Sequence, residues 1–297
     1  MKKKRSSRGR RITTIVLLLI LLVGLGLILY PSFSDLWNNL HQTRAVVNYA
    51  ETVADLDNEV YEQMYSEAVA YNARLLRTGI RWSMTDEERE EYTSTLDVSN
   101  TGMMSYIEIP KINCTLPVYH GTDETALQIA IGHLEGSSLP VGGEGTHCVL
   151  SGHRGLPSAR LFTDLDKLVE GDDFLLYTLD DVLTYEVDQI RVVLPTDVSD
   201  LNIEAGKDYC TLVTCTPYGI NTHRLLVRGH RVETETVSHV RVTADATQID
   251  NVIVAPFVAV PMLLILLILL LLFTGKGKSR PETVENGESE NNDDKEE

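Results

Sequence analysis

Three side chains in this sequence have the type and setting for nucleophilic catalysis: one cysteine, one histidine and one arginine. Thr211–Cys215 reads TLVTC, and Thr216–Gly229 reads TPYGINTHRLLVRG. The β-branched first run predicts a strand ending on Cys215, and Leu225–Val227 predicts a second short strand. Pro217, Gly219 and Asn221 between them favour a turn. A hairpin-like unit would then carry Cys215 and Arg224 toward one another, although they are nine residues apart in sequence. Thiolate is the nucleophilic form of cysteine, and nearby positive charge stabilises it.

A thiol nucleophile also needs a proton carrier, distant in sequence and near in space. Among the eight histidines, His153 has the most suitable setting. It follows the apolar run Cys148–Leu150 and lies in Ser151-Gly152-His153-Arg154-Gly155, where glycines free the backbone to expose the ring. His223 is predicted on the face of its strand opposite to Arg224, and His120, His133, His147 and His230 have no comparable setting.

The elements that must position these residues are mostly short strands. Tyr106–Ile109, Thr115–Tyr119, His147–Leu150, Phe174–Tyr177, Leu183–Val193, Tyr209–Thr214 and Leu225–Val232 are β-rich, with Pro or Gly turn signals between them. That pattern predicts a mainly β domain, a closed barrel or a sandwich. Leu127–His133 and Ser158–Leu168 are predicted short helices. Upstream, Ser34–Leu76 has helical spacing without internal Pro or Gly, from a start at Ser34-Asp35. This region is either a membrane-proximal stalk or a helix packed on the catalytic body. Thr78–Gly102 predicts a loop, a short acidic helix and a turn.

Two long apolar runs flank this region, Ile12–Tyr30 and Val252–Phe273, each able to cross a hydrocarbon core of roughly 30 Å. The first exceeds a usual signal-peptide core and lacks an A-x-A-like site, which favours an uncleaved anchor. Seven Lys or Arg residues precede it, and Lys276, Lys278 and Arg280 follow the second. The positive-inside rule then places both termini in the cytoplasm and the intervening region outside. The expected division is a basic tail (1–11), a transmembrane helix (12–30), a helical region (31–104), a catalytic barrel (105–232), a linker (233–251), a second transmembrane helix (252–273) and an acidic disordered tail (274–297). The chain carries −17 overall, with +7 before the first span and −4 after the second, which leaves −20 outside. Such a surface argues against nucleic-acid binding.

These residues, taken together, resemble the sortase family, and within it the class C, pilus-assembling members. TLVTC matches the family's TLxTC motif, and TPYGINTHRLLVRGHR continues it. SGHRGLPSARLFTDLDKL matches the segment around the family's histidine, and MMSYIEIPKINCTLPVYHGT matches the entry strands. The resemblance spans about 101–231 and extends to the membrane segments on either side. It implies an eight-stranded sortase-type β-barrel with short helices, an N-terminal helical region and two flanking transmembrane helices.

The implied activity is that of a cysteine transpeptidase without cofactor or metal. Cys215 would cleave an LPxTG-like sorting signal between Thr and Gly, His153 would act as general acid and base, and Arg224 would stabilise substrate and oxyanion. The acyl group would pass to a lysine amine of a pilin subunit. Implied partners are pilins or surface proteins with such signals and the lipid bilayer. Alternatives are attachment of proteins to peptidoglycan and an inactive membrane-tethered scaffold. Arg228, four residues beyond Arg224, shares its strand face and is the other arginine to weigh.

Class C members usually carry a lid with Asp-Pro-Trp or Asp-Pro-Phe. The corresponding stretch here is Ile80-Arg81-Trp82, which keeps the aromatic and lacks the acid. The resemblance implies that Trp82 lies over Cys215 in a lid that, without the acid, opens more readily than in its relatives; the alternative is that Trp82 is an ordinary surface or core aromatic. Cys148 and Cys210 each lie five residues before a site position, on strands that could run side by side. They would then be neighbours, either as ordinary core thiols or as a disulfide. No cysteine spacing fits a zinc site.

Overall fold

Residue pairing among the strands closes a ring. The structure, a computed structural model, describes residues 7–234 together with Met262. Its strands are β1 (Met103–Ile109), β2 (Cys114–His120), β3 (Ile131–His133), β4 (Thr146–Ser151), β5 (Asp173–Thr178), β6 (Asp181–Val193), β7 (Asp208–Thr216) and β8 (His223–Val232). They form a closed barrel in the order β1-β2-β3-β4-β7-β8-β6-β5. The expected barrel is therefore present, with eight strands.

The alternation along the central strands separates two apolar layers. Leu212, Leu225, Val227, Cys148 and Leu150 point into the main core with Ile107, Phe174 and Tyr185. Val149, Leu226 and Leu201 form a second, smaller cluster with Leu134, Val193 and Val213 packed against it. Leu201 comes from the β6–β7 connection, so this connection covers the outer face of the β4-β7-β8-β6 sheet.

Helix α1 (Ser7–Ala54) runs without a break from the apolar segment into the region that packs on β1 and β2. Pro31 lies inside it, and the helix does not start afresh at Ser34 as expected. A proline costs the helix one hydrogen bond, which continued helix on both sides tolerates. Helix α2 (Asn58–Thr78) follows and buries Ala68, Tyr71, Asn72 and Leu75, so the helical pair packs on the barrel. Helix α3 (Asp86–Ser94) starts at a capping box, in which the Thr85 hydroxyl accepts from the Glu88 N–H and Glu88 accepts from the Thr85 N–H.

Two expected helices are corrected. In Leu127–His133 only the first residue is helical, the last of α4 (Glu124–Leu127); Ile131–His133 is strand, paired parallel with β2 and antiparallel with β4. Sheet pairing on both edges overrides the local pattern there. Ser158–Leu168 is turns with one short 3-10 turn at Leu165–Lys167. The second apolar run (252–273) and the acidic tail lie outside the described residues, Met262 apart.

Candidate active site

Strand register brings Cys215 and Arg224 face to face. β7 and β8 are antiparallel, with Cys215 opposite Arg224 and Thr216 opposite His223. One strand further, Arg224 is opposite Val193 of β6. Register partners share a face of the sheet, so Cys215, Arg224 and Val193 form a row across three strands. The row lies on the outer face that carries Val213 and Leu226, under the β6–β7 connection.

His153 reaches the same place from β4. β4 and β7 are parallel, with Ser151 opposite Val213. Beyond that pair the Gly152 N–H donates to the Val213 carbonyl at 3.0 Å. The buried Thr214 hydroxyl donates to the Gly152 carbonyl at 2.8 Å. These two bonds clamp the residue before His153 to the two residues before Cys215. The clamp needs a glycine, since a Cβ at Gly152 would lie 2.5 Å from Ile131 Cδ1 and 2.7 Å from Phe162 Cδ2. The His153 carbonyl in turn accepts from the Phe162 N–H at 3.1 Å.

The Nε2 of His153 is buried without a hydrogen-bond partner among the described residues. A buried polar atom without a partner costs about 1–3 kcal/mol, and a catalytic role is one of the reasons a native structure keeps one. Cys215 is a free thiol, partly exposed. Among the described residues the Arg224 guanidinium donates to main-chain carbonyls, those of His223 at 3.2 Å and Asn221 at 3.4 Å.

Arg228 is held differently. It donates through Nε and Nη2 to both carboxylate oxygens of Asp188, at 2.9 and 3.0 Å. Its guanidinium also lies 4.1 Å from the Tyr209 ring centroid. Its register partner is Thr211, four residues back along β7 from Cys215, or about 13 Å at strand rise. Arg228 is therefore occupied and remote, whereas Arg224 is the register partner of Cys215 and binds no carboxylate among the described residues.

The loop between β7 and β8 packs on the loop that follows β4. The Tyr218 ring lies over Gly155, 3.0 Å from where a Cβ would be, and Arg154 lies 5.7 Å from its centroid. Arg154 is also paired with Asp166. Neither this aromatic–arginine contact nor the Thr214–Gly152 bond was anticipated from sequence. Thr214 stood in the TLVTC motif, but its partner is a main-chain atom, which no side-chain pattern announces.

The stretch Ile80-Arg81-Trp82 runs beside the β3–β4 connection, where a Cβ on Gly136 would meet the Arg81 carbonyl. Arg81 pairs with Glu88 at 2.8 Å, and Trp82 is 41% exposed. Cys148 and Cys210 are register partners on β4 and β7, and both are free, buried thiols. Two surface cavities, of about 430 and 560 Å³, include none of Cys215, His153 or Arg224 in their linings.

The Cys215–Arg224 register pair and the Gly152 bonds bring a thiol, a guanidinium and the loop that carries His153 to one end of the closed barrel. Comparison with known proteins gives the family. A sortase-domain model matches residues 107–232. The crystal structure of sortase C1 from Streptococcus agalactiae is 57% identical, with a TM-score of 0.64 over 65% of this chain and 100% of that one. Sortase C from Streptococcus pneumoniae is 47% identical, with a TM-score of 0.58 over 64% of this chain and 97% of that one. Sortase D of Bacillus subtilis is 35% identical over 136 residues, 44% of this chain and 66% of that protein. The chain belongs to the sortase family of cysteine transpeptidases, and its structural neighbours include class C members.

Proposed function

We propose that this protein is a membrane-anchored class C sortase that joins pilin subunits through isopeptide bonds. The observation that carries the reading is the Cys215–Arg224 register pair with His153 clamped alongside. The class assignment is supported by the S. agalactiae sortase C1 at 57% identity. Another S. agalactiae relative, 42% identical, is the sortase C1 of a pilus island, and the S. pneumoniae sortase C has been described for its pilin substrate specificity.

In the proposed reaction the Cys215 sulfur attacks the threonine carbonyl of an LPxTG-like signal. The C–N bond to glycine breaks as His153 gives its proton to the leaving amine, and a thioester remains on Cys215. His153 then takes a proton from a pilin lysine amine, whose nitrogen attacks the thioester carbonyl. The new C–N bond is the isopeptide, the C–S bond breaks, and the sulfur leaves as the thiolate with His153 protonated again, which restores the pair for the next cycle. Arg224 faces the charge that develops on the carbonyl oxygen, and such stabilisation is often the largest contribution to acyl transfer. No metal or cofactor takes part.

Trp82 is proposed as the aromatic of a lid. With no acid to bind Arg224, this lid would open readily. The catalytic region would lie outside the cell, held by α1 and by a second span. Supplying an LPxTG-like peptide with two competing acceptors tests the class: a lysine-bearing pilin and a peptidoglycan cross-bridge amine. Preferential transfer to lysine is expected, and preference for the cross-bridge amine would make this a wall-anchoring sortase instead.

A further inference from the structure

We propose that the catalytic end of the barrel rests on the membrane surface, with Tyr218 and Ile220 of the β7–β8 loop inserted into the interfacial layer of the bilayer that α1 spans. The inference rests on the anchor reading of α1 given above.

Helix α1 measures the height of each barrel end. Its apolar run ends at Tyr30. Asp35 and Asn38 follow at about 8 and 12 Å of helical rise, and Tyr49 at about 28 Å. Asn38 Nδ2 donates to the Ser158 carbonyl at 2.8 Å, and the Arg160 N–H donates to Asp35 Oδ1 at 3.0 Å. Gln42 donates to the Ile129 carbonyl at 2.7 Å. The low part of α1 therefore holds the segment that follows His153. Higher up, the Tyr49 hydroxyl donates to the Met104 carbonyl and accepts from the Leu179 N–H, both at 2.9 Å. Leu179 belongs to the β5–β6 turn, at the opposite end of the barrel from Cys215.

The polar layer on each side of a bilayer is roughly 5–8 Å thick. A barrel end bonded to α1 at about 8–12 Å above the hydrocarbon must lie against that layer. The β7–β8 loop belongs to this end, since Tyr218 packs on Gly155, five residues before Arg160. Tyr218 is 60% exposed and Ile220 67% exposed. On α1 itself Phe33 and Trp37 are exposed at the same level. Exposed aromatic and aliphatic side chains at one height match the composition of a membrane interface. The occupant is the bilayer's interfacial layer, and the attraction is apolar, because the region between the spans carries −20 and would be repelled by anionic headgroups. Cys215 would then meet only bonds held close to the bilayer, the place of a sorting signal followed by an apolar span.

Nitroxide accessibility in the full chain, reconstituted in phosphatidylcholine–phosphatidylglycerol vesicles, tests this. Labels are placed one at a time through Ile220→Cys, Asp180→Cys and Leu27→Cys in a Cys215→Ser background. The Ile220 position is expected to favour oxygen over a water-soluble nickel reagent at least fivefold more than the Asp180 position, which should read as water. Leu27 should read as hydrocarbon. If Leu27 reads hydrocarbon while Ile220 matches Asp180, the seating is wrong and the anchor stands. If Leu27 also reads water, the anchor reading falls and this inference with it.

Discussion

At Cys215 the question of which thiol reacts is answered by burial. Cys148 and Cys210 are buried on the core face, and burial pushes the Cys114 thiol up to about 12. A polar thiol reagent at neutral pH should therefore modify one thiol quickly in the folded protein and four after denaturation. Fast labelling of a second thiol in the native state would contradict this. The two arginines should separate in a similar way. Arg224→Ala is expected to lower acylation at least a hundredfold and leave the melting temperature nearly unchanged. Arg228→Ala breaks the bidentate pair with Asp188 and should destabilise by about 1–3 kcal/mol, lowering the melting temperature while acylation of folded protein persists. Acylation lost only in the Arg228 variant would reverse the assignment.

Among the elements, the clamp between the β4 end and β7 fixes the residue before His153 to the two residues before Cys215. Gly152→Ala would force a Cβ into Ile131 and Phe162 and is expected to cost about 1–3 kcal/mol. It should also reduce kcat more than it raises KM if the displaced His153 is the proton carrier, as proposed. The β6–β7 connection has its own anchor: His147 Nδ1–H donates to the Asn202 carbonyl at 2.9 Å, and Nε2 accepts from the Thr211 hydroxyl at 2.7 Å. Burial is the main cause holding the His147 pKa below its ordinary value, against the raising effect of the Asn202 bond. Folding then favours the neutral ring, so stability is full above the unfolded pKa of about 6.5 and falls as pH drops below it. Denaturant melts from pH 7.5 to 5.5 should show this decline, and a His147→Gln variant should reduce it, leaving the part due to His120, whose pKa burial lowers in the same way.

These elements were unequally legible in the sequence. The strand ending on Cys215 and its hairpin with Arg224 could be read from β-branched runs and turn residues, because those signals are local. Ile131–His133 was missed since its strand identity comes from neighbours on both edges, His120 on β2 and Leu150 on β4 among them. The helix through Pro31 was missed because a proline reads as a boundary when flanking helix and membrane are not considered. The residues of the site were visible as types, whereas the Thr214–Gly152 and Tyr218–Gly155 contacts are facts of tertiary packing.

Over the whole molecule, the catalytic barrel is carried by a helix that continues from an apolar segment long enough to span a bilayer. The low part of that helix bonds the segment behind His153 and the high part bonds the far end of the barrel. The proposed enzyme thus has a thiol held at a set height, a proton carrier on the clamped loop beside it and the Arg224 guanidinium opposite. All three serve one covalent step, the formation of a thioester on Cys215. Intact-mass analysis of the full chain, quenched in acid during turnover of an LPxTG-like peptide with a lysine acceptor, measures that step directly. An adduct with the mass of the peptide acyl portion ending in Thr, mapped to Cys215, is expected, together with an isopeptide product that is absent with Cys215→Ala. Product formed by the Cys215→Ala protein, or an adduct mapped to another residue, would contradict it.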